Sequence, residues 1–200
     1  LLQNKPKSMR VTFKGKMQKS VFSKDLILKL ISDIGVGGAT SHVILYAGEC
    51  VDAMSMAERM TICNMSIECG ARAGLMEPDE TTYAWIKGKK HAPKDFEKAV
   101  AYWNSLKSDA DAKFDREIEI DINNLKPMIT WGTNPGQGIQ IDQTIPVLEE
   151  LSVHDRTSAQ KSLEYIGLSP GQKIAGTKID WAFIGSCTNG RIEDLRLAAQ

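Results

Sequence analysis

The chain has 200 residues, of which 42% are hydrophobic, and its 25 basic residues balance 25 acidic ones, so the formal net charge is zero. This composition is that of an ordinary globular protein, long enough for one or two domains. No basic stripe points to nucleic acid as a partner, and no apolar run reaches the roughly 20 residues that a membrane span needs. Four scattered cysteines are too few for a disulfide framework, which predicts a reducing, cytoplasmic setting.

Hydrophobic patterning in the first part of the chain alternates between strands and helices. Residues Met9–Phe13 alternate as in a strand, and the apolar spacing of 24–34 predicts a helix with Ser23 as its N-cap. The glycine-rich stretch 35–38 lacks the lysine and hydroxyl residue of a P-loop and is interpreted as a turn. The apolar run His42–Ala47 predicts a buried strand.

The longest predicted helix spans residues 56–72, ends at Gly74 and carries two polar side chains on an otherwise apolar surface. Asn64 and Glu68 are four residues apart, so their directions on an α-helix differ by about 40°. Either they form an exposed stripe or an internally bonded pair, or Glu68 is a general base with Asn64 as its orienting amide. Cys63 and Cys69 would face about 120° apart, which makes them a poor metal pair and indicates packing.

Segments predicted in the second part of the chain alternate in the same way. They are a helix at 94–106, a strand at 116–122 with one solvated face, a strand at 127–131 and a helix at 158–166 that ends at Gly167. The loop Gly132–Gly138 is interpreted as a plain turn, with backbone approach to a ligand as the alternative. Strands alternating with helices predict an α/β fold with three layers, α/β/α. We expect two domains, residues 1–110 and 111–200.

Cys187 lies in the stretch that most strongly suggests a functional site. The apolar run Trp181–Ile184 predicts a buried strand, and helix-forming residues follow from Arg191 onward. Cys187 would then lie between the end of a strand and the start of a helix, where ligands collect in open α/β sheets. Free N–H groups and the helix dipole would favour a thiolate there, which is a nucleophile or metal ligand. The alternative is a small, buried, apolar cysteine.

Several stretches together resemble one protein family. Ile184-Gly-Ser-Cys-Thr-Asn189 is similar to the first cluster-binding motif of the aconitase superfamily, and Arg59-Met-Thr-Ile-Cys-Asn-Met-Ser-Ile-Glu68 resembles its catalytic helix. Within that superfamily, Thr130-Trp-Gly-Thr-Asn-Pro-Gly-Gln137, Pro78-Asp-Glu-Thr-Thr-Tyr83 and His91-Ala-Pro93 resemble the large subunits of bacterial 3-isopropylmalate dehydratases. The resemblance covers nearly the whole chain and implies aconitase-like α/β/α domains.

The resemblance also implies a function. It implies a [4Fe–4S] hydro-lyase that interconverts 2-isopropylmalate and 3-isopropylmalate through 2-isopropylmaleate in leucine biosynthesis, acting on this hydroxy-dicarboxylic acid with a separate small subunit as partner. Cys187 matches the first of three cluster cysteines, and the open fourth iron would act as a Lewis acid. Glu68 matches the glutamate near the iron-bound hydroxyl, and Asn64 matches the amide beside it.

Two departures from the family pattern concern the cluster site itself. The Cys-x-x-Cys that carries the other two cluster ligands does not occur in this sequence, and neither do the upstream Asp/His motifs. We therefore expect an internal piece of a longer large subunit that is inactive by itself. The alternatives are an aconitase or homoaconitase acting on another hydroxy acid and, from other classes, a cluster-free RNA-binding protein or a non-catalytic remnant.

Overall fold

The computed structural model describes residues 2–200, and a parallel sheet of four strands forms its centre. The strands are β1 (Lys7–Lys14), β2 (His42–Ala47), β3 (Ala73–Met76) and β4 (Arg116–Asp121), in the spatial order β3-β2-β1-β4. All neighbouring pairs are parallel, so each connection must cross over the sheet, and helices lie in the crossovers. The predicted α/β class and the strands expected at 9–13, 42–47 and 116–122 are confirmed.

Helices fill the crossovers and continue after the sheet. They are α1 (Ser23–Ile34), α2 (Glu49–Asp52), α3 (Met56–Met65), α4 (Glu80–Ile86), α5 (Phe96–Asn104), α6 (Val153–Ile166) and α7 (Ile192–Ala198). Helices α1 and α3 contact each other, and their apolar sides join the sheet in one buried cluster that includes Val11, Ile31 and Ile62. Within residues 2–200, no helix is both long and apolar enough to cross a bilayer.

The helix expected at 56–72 is shorter than its pattern predicts. Helix α3 ends at Met65, a 3₁₀ turn follows over Ser66–Cys69, and Gly70 reverses the chain with a φ of 82°. The predicted terminator, Gly74, lies inside β3 instead. A Cβ atom at Gly74 would come within 2.1 Å of Ser66 Oγ, so the turn packs against a strand that has room only for glycine.

A short antiparallel hairpin, β5 (Met128–Thr130) and β6 (Gly138–Gln140), follows the sheet. The strand expected at 127–131 is confirmed, whereas β6 was not expected. The hairpin and α6 share a second, smaller cluster of buried residues that comprises Trp131, Ile139, Ile145, Ala159 and Leu163. The division into residues 1–110 and 111–200 stays a prediction.

Asp25 joins the start of α1 to the hairpin. Its carboxylate accepts hydrogen bonds from the backbone N–H of Phe22 at 2.8 Å and of Met128 at 2.6 Å. The N-cap is therefore Phe22, and the expectation that Ser23 caps the helix is wrong by one residue. Burial raises the pKa of Asp25, and the two backbone hydrogen bonds oppose that rise.

The strand expected at Trp181–Ile184 is wrong. No strand forms there, and the side chains of Trp181 and Phe183 are 94% and 90% exposed. An extended segment becomes a strand only when another strand accepts its backbone hydrogen bonds, and none within residues 2–200 pairs with this one. The helix expected after Arg191 is confirmed as α7.

Candidate active site around Glu68 and Cys187

An open cleft of about 360 Å³ brings together residues that lie far apart in the sequence. It is lined by Glu68 from the 3₁₀ turn, Ser186–Thr188, Thr130 and Gly132–Pro135 of the hairpin, Lys24 of α1 and Met65 of α3. Three of the stretches that carry the family resemblance, 59–68, 130–137 and 184–189, therefore line the same cleft. Glu68 and Cys187, which the sequence singled out separately, line the same cleft.

Buried hydrogen bonds hold the 3₁₀ turn that carries Glu68. Ser66 Oγ donates to the carbonyl oxygen of Ile62 at 3.1 Å and lies 2.8 Å from the Tyr46 hydroxyl, deep in the core. Cys69 Sγ donates to the carbonyl oxygen of Ser66 at 3.1 Å. Glu68 itself is exposed and makes no hydrogen bond or ion pair with any described residue. The turn is thus fixed while the carboxylate remains free to meet a ligand.

Asn64 lies on the exposed side of α3 and is not among the residues that line the cleft. The expected angle of about 40° between Asn64 and Glu68 assumes an unbroken α-helix. Because the chain tightens to 3₁₀ geometry after Met65, that angle does not apply. Both side chains are exposed. Among the interpretations drawn from the sequence, the exposed polar stripe is the one that matches this exposure.

Cys187 lies in a turn that the side chain of Ser186 organises. Ser186 Oγ accepts hydrogen bonds from the N–H groups of Thr188 at 3.2 Å and Asn189 at 2.9 Å. The thiol is exposed, and its nearest polar partner is Thr188 Oγ1 at 3.8 Å. The alternative of a buried, apolar Cys187 is therefore wrong. We call residues 185–191 the Cys187 loop.

The expectation that the following helix favours a Cys187 thiolate stays a prediction. The N–H groups of Gly190 and Arg191 donate to the Asp194 carboxylate, at 2.9 and 3.0 Å. Partial burial opposes ionisation of Asp194, but these hydrogen bonds outweigh it and lower the pKa of the carboxyl. The N–H groups of the two residues that precede α7 are therefore occupied by Asp194.

The other three cysteines pack in the interior, as expected for Cys63 and Cys69. Cys50 and Cys69 are buried and Cys63 is partly buried. Burial raises the pKa of Cys50 and of Cys63 to about 11, which keeps these thiols protonated. Across residues 2–200, no group of three His, Cys, Asp or Glu side chains could hold a metal ion. The described chain thus offers one accessible thiol and not a complete ligand set.

Arg59, at the start of the stretch that carries Glu68, connects it to a fourth stretch of the resemblance, away from the cleft. Its guanidinium is buried and makes two hydrogen bonds to the Asp79 carboxylate, at 2.7 and 2.6 Å. It also donates to the backbone carbonyl oxygens of Asp52 and Met54. Hydrogen bonds from Arg59 hold the pKa of Asp79 below its usual value. This pair secures the start of α3 against the start of α4 and makes no hydrogen bond to a residue that lines the cleft.

Two residues near the cleft were missed by sequence reasoning. Thr61, which is 1% exposed, receives hydrogen bonds from the side chains of Asn189 and Arg191 in the Cys187 loop. Lys24 is the one cationic side chain among the lining residues. Both belong to ordinary helical patterns. Neither residue has a distinctive signal in the sequence.

Comparison with known proteins agrees with this arrangement of motifs. The model of the aconitase family (aconitate hydratase) matches residues 1–200. The chain is 52% identical, over 202 residues, to the 3-isopropylmalate dehydratase large subunit of Roseiflexus castenholzii, and the match covers 100% of this chain and 43% of that relative. The chain thus spans less than half the length of the relative. It belongs to the aconitase family.

Proposed function

We propose that this chain forms part of the large subunit of a cytoplasmic hydro-lyase that isomerises 2-isopropylmalate and 3-isopropylmalate through 2-isopropylmaleate in leucine biosynthesis. One observation carries the proposal: Glu68, Cys187 and the hairpin loop line a single cleft. The chain that forms this cleft is 52% identical to a 3-isopropylmalate dehydratase large subunit. The partner would be the small subunit, and the substrate would be a hydroxy-dicarboxylic acid.

Cys187 is the proposed first ligand of a [4Fe–4S] cluster. Its thiol is exposed in the cleft, whereas the other three thiols are buried or partly buried. One thiolate cannot hold such a cluster, so the remaining ligands would come from the part of the protein that corresponds to the rest of the relative's length. When bound, the cluster would supply a Lewis-acidic iron.

Glu68 is the proposed general acid and base. Its carboxylate faces the cleft and is free of partners among residues 2–200, so it can give a proton to a leaving hydroxyl oxygen and take it back. Lys24 would meet a carboxylate of the substrate, because opposite charges attract strongly across a cleft. Asn64 keeps its proposed role as the amide beside Glu68, which requires its side chain to turn toward the cleft.

The hairpin loop would form a rigid wall for the substrate. Gln137 Oε1 accepts a hydrogen bond from the N–H of Thr133 at 2.7 Å, and Asn134 Oδ1 accepts one from the N–H of Gly136 at 3.0 Å. A Cβ atom at Gly132 would lie 1.9 Å from Gln137 Oε1, so the glycine is needed for this closure. A loop fixed by its own side chains can hold a substrate without ordering cost.

Turnover measurements on the intact enzyme, with its small subunit, test the proposal. We expect conversion of 2-isopropylmalate, with citrate and homocitrate turned over far more slowly. Glu68→Gln should lower kcat about a thousandfold, because general acid and base catalysis contributes up to that order, while Glu80→Gln on α4 serves as the control. Preferred turnover of citrate or homocitrate would instead identify an aconitase or homoaconitase. A sequence-specific shift of RNA in a gel-retardation experiment, together with no turnover of any of these acids, would favour an RNA-binding protein.

A further inference from the structure

We propose that Thr61 is the positioning residue that docks the Cys187 loop onto α3. Two hydrogen bonds reach its hydroxyl from the loop, one from Asn189 Nδ2 at 3.3 Å and one from Arg191 Nη1 at 3.2 Å. Between residues 185–200 and the rest of the described chain, these are the only hydrogen bonds, and no ion pair adds to them. One buried oxygen therefore fixes where this segment lies.

The hydrogen-bonding capacity of the Thr61 hydroxyl is fully used. A hydroxyl has one proton to donate and two lone pairs to accept with. Thr61 Oγ1 donates to the Ala57 carbonyl oxygen at 3.1 Å and accepts from Asn189 and Arg191. Valine has the same shape and would leave both donors of the loop without this acceptor, whereas serine would retain it.

Arg191 extends the attachment from α3 to the backbone beside Cys187. The same Nη1 atom that reaches Thr61 also donates to the carbonyl oxygen of Thr188 at 2.9 Å. Ser186 within the loop and Asp194 of α7 fix the local shape through hydrogen bonds to the loop backbone. The internal bonds thus determine the form of the loop, and Thr61 determines its place on the molecule.

Helix α3 makes Thr61 a reference point for both sides of the cleft. Met65 lies one turn after Thr61 on α3, Glu68 lies in the 3₁₀ turn that follows, and both line the cleft with Cys187. The buried Arg59 pair holds the chain two residues before Thr61, and Ser66 holds it five residues after. Docking on Thr61 therefore places Cys187 relative to Glu68. That the placed thiol serves as a cluster ligand rests on the proposed function; the docking does not.

Hydrogen–deuterium exchange on the intact protein in its metal-free form tests the docking. Thr61→Val should make the amides of residues 185–191 exchange about tenfold faster, because the loop loses its two attachments. Thr61→Ser should restore the parent rate. The control is Thr40→Val, since the Thr40 hydroxyl also donates to a carbonyl of a preceding residue, Gly37, and does not touch the loop. Amides of β1 should be unaffected in all three variants.

Unchanged exchange of the loop in Thr61→Val, or equal acceleration in Thr61→Ser, would overturn the proposal. If Thr61→Val also accelerates β1 and thus unsettles the whole fold, Arg191→Met provides the test from the exposed side. It should accelerate only residues 185–191, and adding Thr61→Val should give less than the product of the two single effects. The measurement uses no substrate and no cluster, so turnover failure and docking failure are separate results.

Discussion

Two segments that the sequence predicts as strands differ in this molecule, the alternating Met9–Phe13 and the apolar Trp181–Ile184. In β1, the strand pairs with β2 and β4 along both edges, and Met9, Val11 and Phe13 are fully buried in the cluster that the sheet forms with α1 and α3. At the other end of the chain, Trp181 and Phe183 are almost fully exposed. The sequence pattern predicts a strand for both segments. The difference teaches that apolar residues alone do not make a strand. A strand also needs a neighbouring segment whose backbone N–H and C=O groups pair with its own.

The same contrast extends to how side chains are held. Arg59, Ser66 and Asp25 each make several buried or partly buried hydrogen bonds within the sheet region. The segment 185–200 reaches the rest of the described chain through Thr61 alone. We therefore expect stability to depend on the sheet region, and function to depend on the weakly attached segment.

The largest expected effect separates function from stability at two cysteines. Cys187→Ser should reduce isopropylmalate turnover at least about a thousandfold and abolish bound iron, because the proposed cluster loses a ligand. The matched control is Cys63→Ser, a partly buried thiol outside the cleft, which should keep its iron. Iron content and turnover of the purified intact enzyme check this. Full iron content in Cys187→Ser would end the assignment of this thiol as a ligand.

The second prediction compares the two regions directly through stability. Ile62→Ala should lower the free energy of unfolding by about 3 kcal/mol, because the side chain is fully buried and its loss leaves a cavity. Phe183→Ala should change it by less than about 0.5 kcal/mol, because that ring is 90% exposed. Urea unfolding of the 200-residue chain measures both. A cost of several kcal/mol for Phe183→Ala would mean that the ring is packed in solution.

The Arg59–Asp79 pair gives the third prediction. Asp79→Asn should cost about 2 kcal/mol of unfolding free energy, since it leaves a buried guanidinium without its counter-charge while the lost carboxylate is partly exposed. Lys126→Gln, which removes an exposed pair with Asp142, should cost less than about 0.5 kcal/mol.

The pH dependence of the Arg59–Asp79 pair has a definite sign. Hydrogen bonds from Arg59 place the folded-state pKa of Asp79 below its ordinary value of 3.8. The stabilisation is therefore complete above that value and is lost as the pH falls through the lowered folded-state pKa. Unfolding curves measured from pH 6 to pH 2 should show a smaller acid-induced loss in Asp79→Asn than in the parent. Parallel curves for the two proteins would contradict the assignment.

The hydrophobic pattern and the turn residues predicted those strands and helices whose ends depend on neighbouring residues in the sequence. β2 has the expected bounds because its apolar run lies between two parallel neighbours, and α6 ends at Gly167 because glycine adopts the left-handed conformation there. The end of α3 was missed because it depends on Ser66 meeting Gly74 across the fold. The three residues of β6 were missed because only their pairing with β5 makes them a strand.

The candidate site was predictable to the extent that its residues belong to distinctive motifs. Resemblance singled out Glu68 and Cys187, and the cleft brings both together. Thr61 and Lys24 were not predicted, because a threonine and a lysine in amphipathic helices have no distinctive pattern. Their roles depend on which residues they meet in the folded chain. Thr61 meets the Cys187 loop, and Lys24 lines the cleft.

The smallest expected effect concerns the only cation that lines the cleft among the described residues. Lys24→Gln should raise KM for 2-isopropylmalate about fivefold with little change in kcat, because one partly exposed charge pair with a carboxylate contributes about 1 kcal/mol of binding. Lys29→Gln, one turn further along α1 and paired with Asp33, is the matched control and should leave KM unchanged. Raising the salt concentration should raise the KM of the parent more than that of Lys24→Gln, since screening weakens only a charge that is present. Equal salt dependence in both proteins would show that Lys24 does not meet the substrate, and that the cleft binds its dicarboxylate through residues of the intact enzyme that lie elsewhere.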